Sequence, residues 1–171
     1  MESLGIMYLQ TVATISVTFV GFSSIVVVFR QVQGSSLDGF HIFLVRFFIE
    51  MGLIVTGFSL LPLLLSVWGM PAGTIWGYAS AAFALGHLGY IVILYLRRRQ
   101  DATGSFSLGR NLLLILISIG VDISLILNAI GWPFAANIGP YALGLTWALL
   151  VAGFFFVQTL EAFLQQPSRG S

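Results

Sequence analysis

Long apolar runs separated by short polar links set the pattern of this chain. Five runs stand out, at about residues 4–29, 40–68, 72–96, 111–131 and 138–164. Each exceeds the ~20 residues that a helix needs to cross the hydrocarbon core of a bilayer. The pattern predicts an all-α integral membrane protein, a bundle of five transmembrane helices forming one domain over residues 1–171. Pro62 falls inside the second run and is expected to kink it, because proline removes a backbone donor and crowds the preceding turn. The opening of that run, Phe40 to Arg46, is expected to lie along the interface before the helix turns inward.

The links alternate in character. Arg30, Arg46, Arg97, Arg98, Arg99, Arg110 and Arg169 all fall on one side of the bundle if the runs alternate direction, while the links at Gly69-Met70-Pro71 and Pro133 to Asn137 carry no charge. Basic residues collect on the cytoplasmic face of membrane proteins, which places the N-terminus out and the C-terminus in. Trp68, Trp76, Trp132 and Tyr141 gather at the opposite boundary, where amphipathic rings anchor. Arg46 precedes Trp68 by the same spacing as Arg110 precedes Trp132, an echo compatible with two parallel hairpins after a leading helix. Interface chemistry alone also puts Arg and Trp at membrane boundaries.

Composition sharpens this picture. Of 171 residues, 58% are hydrophobic and 8% charged, against roughly 25% charged in a soluble domain. No stretch is long or polar enough for a separate soluble domain. The opening Met1-Glu2-Ser3 has no basic segment and no cleavage site, so it is expected to lead into a first membrane helix and not a cleaved signal. Cysteine is absent, which excludes disulfides, thiol nucleophiles and thiolate metal sites. All seven basic residues are Arg, so Schiff-base chemistry on a lysine is excluded too. No phosphate loop, zinc-binding spacing or nucleophile–base pattern is present, and nothing points to nucleic acid.

Against so apolar a background, Asp122 is the anomaly. A carboxylate in mid-membrane costs at least ~2.5–3.5 kcal/mol to insert, and such residues mark sites by default. Helical rise places Asp122 roughly 18 Å beyond Arg110 and His87 roughly 15 Å from Arg97, at similar depth on adjacent antiparallel helices. An Asp–His pair is expected, in which each stabilises the other's charged form or the two share one proton, with Ser118 one turn away bonding the carboxylate and Tyr90 bonding the ring. Arg46 and Glu50, one turn apart, predict an ion pair at the inner end. Thr11, Thr14 and Thr18 form a hydroxyl stripe on the first helix that either lines a water path or packs between helices. Arg97, Arg98 and Arg99 are candidates for anionic lipid headgroups as well as a topology signal. Glycine and alanine at four-residue spacing, Gly73-Gly77-Ala81 and Gly144-Ala148-Ala152, permit close helix approach within the chain or between subunits.

No cofactor and no metal site is expected. The reading that these residues favour is an oligomeric channel or a proton- or ion-linked transporter using a midplane carboxylate, in the inner (plasma) membrane of a bacterium, with membrane lipids and copies of itself as partners. The alternative is an accessory or scaffold subunit of a larger membrane complex. An intramembrane enzyme acting on lipid has the least to recommend it, because no catalytic pairing stands out beyond Asp122 and His87.

Overall fold

The computed structural model describes residues 3–32, 39–100, 108–133 and 135–164. These form five helices and no strand: α1 (Ser3–Val32), α2 (Gly39–Val67), α3 (Ala72–Gln100), α4 (Leu108–Ile130) and α5 (Ile138–Leu164). All five contain a segment long and apolar enough to cross a membrane. The chain is an integral membrane protein.

Three helices reach further than the apolar runs that predict them. α1 continues to Val32, α3 continues through Arg97 to Gln100, and α4 begins at Leu108, ahead of Arg110. Hydropathy marks where a helix leaves lipid, whereas backbone hydrogen bonding carries it onward into water. Phe40 to Arg46 likewise belongs to one uninterrupted helix with the rest of α2, and forms no separate interfacial segment. The two links at the tryptophan end are tight. Gly69 and Gly131 take positive φ values of 78° and 69°, and each closes its helix with a Schellman motif. Met70 N–H donates to Leu65 O at 3.2 Å, and Trp132 N–H to Leu127 O at 3.0 Å.

Pro62 is fully buried in α2 and cannot donate to the carbonyl of Phe58, four residues earlier. The Tyr141 hydroxyl of α5 donates to that carbonyl instead. In lipid a backbone carbonyl has no water to fall back on, so a side chain from a neighbouring helix fills the gap. Tyr141 is therefore 0% exposed and not part of the boundary belt, unlike Trp68 at 70% and Trp132 at 63%.

α5 packs against all four other helices, with α1 and α2 on one flank and α3 and α4 on the other. Its small residues allow this. A Cβ on Gly144 would stand 2.9 Å from a Phe83 ring carbon on α3 and 3.2 Å from a Leu125 methyl on α4. Ala148 and Ala152, one and two turns on, are each 2% exposed, so this ridge is consumed within the chain. The ridge on α3 is used in part: Gly77 abuts the Ala129 carbonyl of α4, and Gly73 faces open space.

The polarity of the whole is inverted relative to a soluble protein. Leu85, Ile115, Leu116, Ile123 and Leu150 are exposed, whereas Ser16, Ser59, Ser80, His87, Asp122 and Asn128 are buried. Only a hydrocarbon surrounding makes such a surface stable.

Candidate functional site: a polar stripe along α3

Three polar clusters meet α3 at successive depths, through Ser80, through His87, and through Tyr90 with Arg97. Spacings of seven, ten and seventeen residues from Ser80 keep all four on one side of the helix. The side they occupy faces α2 and α4, so each cluster stitches two or more helices together.

The middle cluster is the His87–Asp122 pair. His87 Nδ1 and Asp122 Oδ1 stand 2.7 Å apart, joining α3 to α4. Their side chains are only 10% and 5% exposed. Asp122 lies roughly 15 Å from the Leu112 end of its membrane segment and roughly 12 Å from the Ile130 end, close to the middle. The surroundings are apolar. Phe83 lies against the imidazole at a ring-centre separation of 6.2 Å, and Val121 and Leu125 flank the carboxylate along α4. Asp122 Oδ2 is buried and has no hydrogen-bond partner among the described residues. A buried polar atom left unpaired costs about 1–3 kcal/mol.

Neither predicted support of this pair is present. Ser118 does not reach Asp122; its Oγ accepts from Trp147 Nε1 of α5 at 3.0 Å. Tyr90 does not serve the imidazole; its hydroxyl donates to Glu50 Oε2 at 3.2 Å and lies 3.4 Å from the Phe47 carbonyl. Both bond to a third helix instead, Ser118 to α5 and Tyr90 to α2.

Glu50 is the hub of the cluster at the arginine end. The expected pair is formed, with Arg46 Nε donating to Oε1 at 2.7 Å. Arg97 Nη1 adds bonds to both carboxylate oxygens, at 3.0 and 2.7 Å. Arg97 is thus tied to α2 and is not a bystander in a surface cluster. The side chains of Arg98 and Arg99 lie outside the described residues, as do those of His41 and Arg110.

The third cluster, at the tryptophan end, has no counterpart in the sequence reading. Asn128 is 5% exposed and donates through Nδ2 to Ser80 Oγ at 2.7 Å and to the Asn137 carbonyl at 2.9 Å. Its Oδ1 accepts from Asn137 N–H at 3.0 Å. The amide is saturated and acts as a buckle between α3, α4 and the link to α5. The signal was an amide six residues beyond Asp122 in the same apolar run. A cleft of about 300 Å³ opens beside it, lined in part by Ser124, Asn128, Trp132 and Asn137.

The hydroxyl stripe on α1 faces outward. Thr11, Thr14 and Thr18 are exposed and donate to the carbonyls of Met7, Gln10 and Thr14 on their own helix, at 2.8, 2.9 and 2.8 Å. They line no interior path within one protomer. The described residues hold no group of three metal-ligating side chains.

No protein-family model, curated protein or solved structure matches the chain.

Proposed function

We propose that the protein is a proton-linked transporter or channel of a bacterial plasma membrane, working as an oligomer, with the His87–Asp122 pair as its proton-carrying group. The observation that carries this reading is the pair itself: two titratable side chains in contact near mid-membrane, with one carboxylate oxygen unpartnered. One proton held between imidazole and carboxyl leaves the pair neutral overall. Losing or gaining one places a net charge in lipid, a state that is viable only if it is transient or compensated by a second ion. A group of that kind couples proton movement to rearrangement of the helices around it. α3 is the element to rearrange, because each of these polar clusters joins it to α2 or α4. The arginine end is cytoplasmic in this reading.

The outward stripe of Thr11, Thr14 and Thr18 supports an oligomer, since small hydroxyl residues at helical spacing suit close contact with another membrane helix. The same stripe favours the second reading, an accessory subunit docked through α1. Proton flux separates the two. Vesicles containing the purified protein should dissipate an imposed pH gradient faster than empty vesicles. Folded protein that carries no flux, and that extracts from native membranes with a fixed partner, would leave the accessory role standing.

A further inference from the structure

The cluster at the arginine end has a property that a closed ion pair lacks. Glu50 Oε1 accepts from both Arg46 Nε and Arg97 Nη1, so a single carboxylate holds two guanidinium groups side by side. Among the described residues, two cations against one anion leave the cluster with a net positive charge. A guanidinium has five N–H donors, and those of Arg46 Nη1 and Nη2 and of Arg97 Nε and Nη2 have no acceptor among the described residues. The side chains are 61% and 34% exposed, so these donors are reachable from outside. Their depth is also particular. Counted from the tryptophan end, Arg46 lies 22 residues before Trp68 and Arg97 lies 25 residues after Ala72, roughly 33 and 38 Å of helix against a hydrocarbon core about 30 Å thick. Both therefore sit where the hydrocarbon gives way to headgroups.

We propose that Arg46 and Arg97 form a binding site for a phosphate-bearing anion, the headgroup of an anionic phospholipid or phosphate from solution. Planar guanidinium forks match phosphate oxygens two at a time, and Glu50 holds the two forks in place before the anion arrives. Tyr90 assists by fixing Glu50 from the α3 side. The bound phosphate completes the neutralisation that one carboxylate leaves unfinished, and it bridges α2 to α3. This site differs from a diffuse basic surface because it needs two specific arginines from two helices. It stands independently of proton transport.

The test titrates purified protein in neutral detergent with phosphatidylglycerol, phosphatidylcholine or inorganic phosphate, reading the shift of the thermal unfolding midpoint. Phosphatidylglycerol should bind more tightly than phosphatidylcholine. Arg46→Gln should weaken that binding about five-fold, the usual contribution of one arginine at an anionic surface. Among the described residues Arg46 bonds Glu50 alone, within its own helix, and it is largely exposed, so its replacement should leave the fold intact. Arg97→Gln should weaken binding at least as much, and Arg169→Gln should not. If inorganic phosphate alone gives a shift that Arg46→Gln removes, the anion comes from solution; if it gives none, the source is the lipid. Unchanged phosphatidylglycerol binding in both cluster variants, or an equal loss in Arg169→Gln, would overturn the site.

Discussion

Pro62 and Tyr141 sit on different helices yet share one carbonyl, that of Phe58. Tyr141→Phe removes the side-chain donor to that oxygen and is expected to cost about 1 kcal/mol of stability in detergent. In a Pro62→Ala background the helix regains its own N–H donor, so the same Tyr141→Phe change should cost less. A four-way comparison of unfolding midpoints checks this, and equal costs in both backgrounds would show that the hydroxyl is not closing the proline gap. The missing donor at Pro62 is legible in the sequence but its repair is not, because nothing local links residue 62 to residue 141. Asp122 and His87 were legible for the opposite reason. Their depth follows from counting residues inward from charged boundaries, and polar side chains at equal depth on adjacent antiparallel helices can pair when both face inward. Their neighbours were not legible, since Ser118 and Tyr90 each had a choice of partners that only the rotation of the helices decides.

At the scale of elements, α5 is held by what it lacks. Any side chain at position 144 collides with Phe83 and Leu125, so Gly144→Leu should separate α5 from α3 and α4 and lower the unfolding midpoint. Gly73→Leu, at the open end of the other ridge, should be tolerated. Similar losses for the two would contradict the placement of α5 at the centre of the bundle. The polar link between α2 and α3 runs instead through Glu50. Arg97→Gln breaks a bond between helices, whereas Arg46→Gln breaks one within a helix, so the first should loosen the bundle more. The helices themselves were plain in the sequence because twenty apolar residues have few other uses. Their ends were displaced at Val32, Gln100 and Leu108, where hydropathy stops reporting on backbone geometry.

For the whole molecule, the distribution of arginine and tryptophan implies an orientation. The chain contains no cysteine, so single cysteines can be introduced without background. Cysteines at Gly34 and Gly104 should react with a membrane-impermeant thiol reagent only from the cytoplasmic side, and those at Ala72 and Ala135 only from the other. A pair from one end reacting on opposite sides would break the five-crossing topology. The proposed function depends on the same frame, because a hydrocarbon surrounding is what makes a charge on the His87–Asp122 pair costly. The most direct test compares wild-type protein with Asp122→Asn in vesicles of equal protein content and equal unfolding midpoint. Wild-type vesicles should collapse an imposed pH gradient and the Asp122→Asn vesicles should hold it as empty vesicles do; equal proton flux through both would contradict a role for the pair in carrying protons.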